Sequence, residues 1–62
     1  MKIEPGMKFR GNVNGCEILV LRADSHNVIY RDLKSGYLFT VGRSLFENCD
    51  IQEQEDENHE TL

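Results

Sequence analysis

Apolar and polar residues alternate in short runs over the first part of the chain, and turn-forming residues separate the runs. A turn signal at residues 4–6 (Glu-Pro-Gly) precedes residues 7–10, where apolar and basic side chains alternate. A period of two predicts a β-strand with one buried side and one solvent-facing side. Asn14-Gly15 has the composition of a tight hairpin turn, since both residue types tolerate positive φ values. The pattern therefore predicts a hairpin whose second strand starts near Cys16.

The second predicted strand, residues 16–23, contains an unbroken apolar run at positions 18–21. Such a run needs cover on both faces, which a flat open sheet does not provide. Closure into a small barrel covers both faces, because one long bent strand is then shared by two packed half-sheets. A polar turn at residues 24–27 leads into a third strand at residues 28–32, which is rich in β-forming residues.

A fourth strand is predicted at residues 37–41, after a loop at residues 32–36. Its alternation places Tyr37, Phe39 and Val41 on one side. Because so short a chain must bury almost every large apolar side chain, we expect Phe39 to belong to the core.

A single helical turn and a last strand complete the prediction. Ser44 is suited to cap a helical turn at residues 45–48, and Glu47 stands at the position that completes a capping box. Residues 50–52 are the last predicted strand. Phe9 and Phe46 are expected in the core with Phe39, which leaves few exposed aromatic side chains for a groove that binds Pro-rich peptides.

Five short strands, tight hairpins and one helical turn before the last strand form the layout of an SH3-like barrel. The sequence resembles the small SH3-like domains of short bacterial and phage proteins. The residues that carry this resemblance lie at positions 5–10, 28–36 and 39–43, together with Phe46. The resemblance implies an all-β, five-stranded SH3-like barrel over residues 1–52 and a bacterial or phage origin, and it carries over no functional residue.

The charge of the chain is divided unequally between two segments. The net charge is −4, but residues 1–52 carry seven bases and six acids, whereas residues 53–62 carry five acids and no base. The last segment is also almost without apolar side chains, so we expect a flexible, disordered acidic tail. Such a tail either stays solvated, shields a basic patch on the same molecule, or presents negative charge to a basic partner.

The sequence gives no catalytic constellation, and we expect a protein that is not an enzyme. His26 lies in a polar turn, and neither Cys16 nor Cys49 has an adjacent base that would activate its thiol as a nucleophile. The acids of residues 53–62 lack the loop spacing that fixes oxygen ligands around a metal ion. No metal, no cofactor and no small-molecule substrate is expected.

The cysteines and the hydropathy of the chain bear on the compartment. Cys16 and Cys49 are expected as buried or half-buried free thiols, with a disulfide between them as the alternative. No stretch approaches the length of a membrane span, and the N-terminus lacks the apolar region of a secretory signal. We expect a cytoplasmic protein that makes no membrane contact.

The candidate binding residues are the basic and tyrosine side chains on or beside the predicted strands. They are Lys8, Arg10, Tyr30, Arg31, Lys34, Tyr37 and Arg43. The leading hypothesis is a non-catalytic protein-binding or adaptor module that contacts another protein, or a second copy of itself, through its strand faces and loops.

Two alternative hypotheses use the charges of the chain. In one, the basic and tyrosine side chains form a face that contacts phosphates and stacks on bases of a nucleic acid. In the other, the acidic tail imitates nucleic acid and occupies a DNA-binding partner. The small positive balance of residues 1–52 makes the first alternative weaker than protein binding, because nucleic-acid-binding domains carry a clearer excess of base.

Overall fold

The computed structural model describes residues 2–54, which form five β-strands and one short helix. The elements in chain order are β1 (Lys8–Gly11), β2 (Glu17–Ala23), β3 (Asn27–Asp32), β4 (Leu38–Gly42), α1 (Arg43–Glu47) and β5 (Ile51–Gln54). All five strands belong to one antiparallel sheet with the order β4-β3-β2-β1-β5. The predicted all-β class, with five strands and a short helix before the last one, is confirmed.

The sheet is open, so the predicted closure into a barrel is not found. Among residues 2–54, β4 and β5 are the two edges, and no strand ladder joins them. The apolar run of β2 is not fully covered on both faces. Val20 is fully buried, whereas Leu19 and Leu21 are only half-buried. A register shift between Val20 and Arg22 interrupts the pairing of β2 with β3.

Polar side chains close the hairpin turns by binding backbone N–H groups. The Asn14 side-chain oxygen accepts a hydrogen bond from the Cys16 N–H at 3.0 Å, and Gly15 adopts a φ of +72°. Asp24 Oδ1 accepts from the N–H groups of His26 and Asn27 at 2.8 and 2.7 Å. These bonds, that of Asn27 first, lower the pKa of the Asp24 carboxyl below its ordinary value.

The core lies on the inner face of the sheet and is small. Its buried residues are Ile3, Phe9, Val20, Val28 and Phe46. Phe46 reaches this face from α1 and packs edge-on against Phe9, with ring centroids 5.4 Å apart. Partly buried side chains of β2, β3, β4 and β5 surround these residues together with Met7, which directly precedes β1, so the helix completes a core that the sheet alone leaves open.

The expected core position of Phe39 is wrong, since 44% of this residue is exposed. Phe39 stacks on Tyr30 with ring centroids 5.5 Å apart and an interplanar angle of 28°. In the described part of the chain β4 is an edge strand that pairs with β3 alone, so Phe39 has a neighbouring strand on one side there. The alternation of apolar and polar residues indicated the face of the sheet on which Phe39 lies, but it did not indicate that β4 is an edge strand.

The predicted capping box at Ser44 is also wrong. The helix begins two residues earlier than expected, with Gly42 at the N-cap position and no side-chain capping bond. Glu47 binds Arg43 instead, with 3.0 Å between Oε2 and Nε. The Arg43 N–H donates to the His26 carbonyl, so the β3–β4 ladder continues directly into the first residue of the helix.

The last strand is longer than predicted. β5 extends to Gln54, with Glu53 opposite Phe9 and Gln54 opposite Lys8 on β1. Glu53, the first acid of the predicted tail, therefore belongs to the sheet. The remainder of the predicted disordered tail, residues 55–62, lies outside the described residues.

Candidate functional site

An apolar groove of about 350 Å³ opens on the inner face of the sheet, beside α1. The buried Phe9 and Phe46 line it, and so do half-buried side chains of the surrounding strands. These half-buried residues are Ile18, Tyr30, Val41 and Ile51. Val13 and Asn14 of the first hairpin turn, with Cys16, Cys49 and Asp50, form the exposed rim.

The strand register explains why these side chains share one face. Phe9 lies opposite Ile18, and Tyr30 lies opposite both Val20 and Phe39. Directly opposed residues of antiparallel strands point to the same side of the sheet. Because the sheet is open, the space over this side is bounded by α1 and the first hairpin turn, and no sixth strand of the described chain fills it.

Val13 is the most exposed apolar side chain at the groove. It is 85% exposed, although it lies in a turn whose other residues are polar or glycine. The candidate residues chosen from the sequence did not include it, because they were selected for charge and aromaticity. An apolar residue between Asn12 and Asn14 was the signal that would have found it.

The groove contains few polar groups. Burial raises the pKa of the Tyr30 hydroxyl, and negative charge at Cys49 or Asp32 acts in the same direction. Tyr30 therefore stays a neutral phenol and can donate a hydrogen bond over the whole physiological pH range. Asp50 is the single acid among those lining residues that the structure describes, and its Oδ1 accepts a hydrogen bond from Asn12 Nδ2 at 2.8 Å.

Both cysteines are free thiols, but the expectation that they are buried or half-buried is wrong. Cys16 and Cys49 are exposed, because one follows the first hairpin turn and the other follows the last residue of the helical turn. The Cys49 thiol donates to the Leu45 carbonyl at 3.3 Å. Both residues lie on the rim of the groove.

Three of the predicted basic residues share the outer face of the sheet. Lys8 lies opposite Leu19, and Leu19 lies opposite Arg31 on the next strand, which makes one row across three strands. Arg10 lies two residues after Lys8 and therefore on the same face. Tyr30 points to the inner face, so the structure separates it from these bases.

Intramolecular contacts occupy much of the predicted basic set. Arg10 forms an ion pair with Glu17 at 2.8 Å, and Arg31 Nη1 donates to the Gly36 carbonyl at 3.0 Å. Arg43 lies away from that row, at the start of α1, where its Nη1 donates to the Asp24 carbonyl at 2.9 Å. The predicted set is therefore spread over the sheet and α1 instead of forming one surface.

The other two predicted residues lie in the loop between β3 and β4. Lys34 is exposed and lines a shallow hollow with Arg10 and Glu17, on the side of the sheet away from Phe9 and Phe46. Tyr37 is 69% exposed and lies directly before β4. These two side chains are available to a partner, but they do not line the apolar groove.

Residues 2–54 bring no group of three or more His, Cys, Asp or Glu side chains into an arrangement that could hold a metal ion. The only helix in this part of the chain is too short to cross a membrane. Comparisons with protein-family models, with curated proteins and with solved structures found no match to this chain.

Proposed function

We propose that this chain is a non-catalytic protein-binding module that accepts an apolar segment of another protein in the groove on the inner face of its sheet. The observation that carries the proposal is the groove itself, open to solvent and lined largely by apolar side chains. An exposed side chain such as Val13 at its rim is unfavourable in water, and contact with a partner removes that cost.

The size and polarity of the groove favour a short peptide segment as its occupant. A volume of about 350 Å³ is near the lower end for small-molecule pockets, and it suits one or two apolar side chains of an extended segment. The Tyr30 hydroxyl and the Asn14 amide can hydrogen-bond to the peptide backbone of such a segment. Asp50 at the rim favours a basic residue next to the apolar anchor.

We also propose that the domain is SH3-like and related in architecture to the small domains of short bacterial and phage proteins. The strand order β4-β3-β2-β1-β5, the register shift in the middle of β2 and the helical turn before β5 support this proposal. In such an arrangement the long β2 is shared by two half-sheets, and the groove lies between them.

Selection from a random dodecapeptide library, with the full chain as bait, tests the binding function. We expect selected peptides to bind the wild type and to lose at least tenfold in affinity to Val13→Asp, which places a charge on the groove rim. Leu45→Asp is the matched control, because Leu45 is 63% exposed but does not line the groove. Peptides that bind Val13→Asp as well as the wild type, or a selection that enriches nothing, would refute the proposal.

A second candidate function, association with nucleic acid, is favoured by the row of Lys8 and Arg31 with Arg10 beside it. Anisotropy titrations with single- and double-stranded DNA and RNA, for the full chain and for a chain ending at Gln54, test it. If the shorter chain does not bind at low salt, where phosphate contacts are strongest, this candidate is eliminated. The support for nucleic-acid binding is weaker than the support for peptide binding in the groove, because Arg10 and Arg31 already have partners within the fold.

A further inference from the structure

Within residues 2–54, the strand β4 presents an edge of backbone groups that no other strand pairs with. The Tyr37 carbonyl accepts from the Asp32 N–H, and the Arg43 N–H donates to the His26 carbonyl, so both residues use their backbone groups toward β3. In an antiparallel ladder, successive residues direct their N–H and C=O groups alternately toward the neighbouring strand and away from it. Leu38, Thr40 and Gly42 therefore direct their N–H and C=O groups away from β3, toward the open edge.

This edge lacks the charges that normally protect an edge strand from pairing with another chain. β4 contains no charged residue, and Leu38 and Phe39 are 56% and 44% exposed. The opposite edge strand, β5, contains Glu53 and follows directly after Asp50. The two edges of the sheet therefore differ, and β4 is the one available for strand pairing.

We propose that β4 pairs antiparallel with β4 of a second copy of this chain, with Thr40 on the two-fold axis. In this register the three residues that face the edge supply three hydrogen-bonded pairs, in the pattern of an antiparallel ladder. Leu38 lies opposite Gly42 of the second copy, and Phe39 lies opposite Val41. The result is one continuous ten-stranded sheet across the dimer.

The sequence of β4 is complementary to itself in this antiparallel register, which is why the proposed partner is a second copy of the chain. Each large side chain meets a smaller one across the pair, Leu38 with Gly42 and Phe39 with Val41. No like charges are opposed, because the paired segment has none, although the chain as a whole carries −4. Pairing also covers the open side of the Tyr30–Phe39 stack. The interface therefore removes apolar surface and unpaired backbone groups together.

Sedimentation equilibrium of the full chain over a range of concentrations, up to about 1 mM, tests the proposal. We expect the average mass to rise toward that of a dimer for the wild type. Thr40→Lys and Thr40→Glu each place two like charges on the axis, and each should raise the dimer dissociation constant at least tenfold. The control Gln52→Lys adds the same charge to an exposed position of β5 and should leave the constant unchanged.

Mixing the two charged variants tests the register itself. Thr40→Lys and Thr40→Glu should form a heterodimer when mixed, because opposite charges then meet on the axis. Circular dichroism of each variant verifies that the exposed Thr40 can be replaced without loss of the fold. A wild type that stays monomeric at about 1 mM, or a mixture that fails to associate, overturns the proposal. Neither result bears on the groove, because Thr40 does not line it.

Discussion

Replacing Phe46 by alanine tests whether a single residue of α1 completes the core. Phe46 is 3% exposed, packs edge-on against Phe9 and lies 6.0 Å from the ring of Tyr30. Removing a buried phenylalanine ring costs about 3 to 5 kcal/mol, from lost apolar burial and from the cavity left behind. A domain of this size rarely has more than about 3 to 5 kcal/mol of stability in total, so Phe46→Ala should be largely unfolded at 25 °C.

Phe39→Ala is the matched comparison, because it removes the same ring from an exposed place. Phe39 is 44% exposed, and its loss leaves a surface depression instead of a cavity. The expected cost is about 1 to 2 kcal/mol, which combines partial burial with the stacked contact to Tyr30.

Urea unfolding followed by circular dichroism at 25 °C measures both changes. The wild type and Phe39→Ala should unfold cooperatively with a modest difference in midpoint, while Phe46→Ala should show little or no folded baseline. Equal costs for the two substitutions would refute the distinction between the core under α1 and the edge at β4. Measurements at low protein concentration keep any self-association through β4 from contributing to the midpoints.

Three further predictions concern stability and the acidic residues. The pKa of Asp24 is lowered in the folded state, so the contribution of its carboxylate to folding stability is complete above the ordinary pKa of an aspartate and is lost as the pH falls through the lowered value. Urea midpoints should therefore fall on acidification, and they should fall less steeply for Asp24→Asn. A chain ending at Gln52 should unfold at lower urea than one ending at Gln54, because it lacks the two residues paired with Phe9 and Lys8; equal midpoints would contradict that pairing. If the acidic C-terminal residues imitate nucleic acid, pull-downs should recover a salt-sensitive partner with the full chain and not with the chain ending at Gln54; recovery of the same partners by both eliminates this idea.

Local patterns predicted the strands well because each depends on neighbouring residues. Asn14-Gly15 and the polar turn at Asp24 fold as their composition indicates, since the side-chain oxygens bind backbone groups two or three residues away. The number of strands and the position of the helix follow from where such turns interrupt the apolar runs.

The exposure of Phe39, the start of the helix and the groove did not follow from the sequence. Each depends on which strand lies at an edge, and this is decided by contacts distant in sequence. Ser44 and Glu47 have the local spacing of a capping box. The β3–β4 ladder, however, continues through Gly42 to Arg43, and this pairing sets the first helical residue instead. The groove likewise exists because β4 and β5 do not meet among the described residues.

The Arg43 guanidinium connects the helix α1, which borders the groove, to the turn between β2 and β3, which does not line it. It donates to the Asp24 carbonyl, 19 residues earlier in the turn between β2 and β3, and it also binds the Glu47 carboxylate at the end of α1. The helix that carries Phe46 is therefore anchored to that turn. If a ligand in the groove displaces Phe46, it must work against this anchor, and we therefore expect its binding to be coupled to the conformation of the turn between β2 and β3. Chemical-shift changes at His26 and Asn27 would then report binding at a site that neither residue touches.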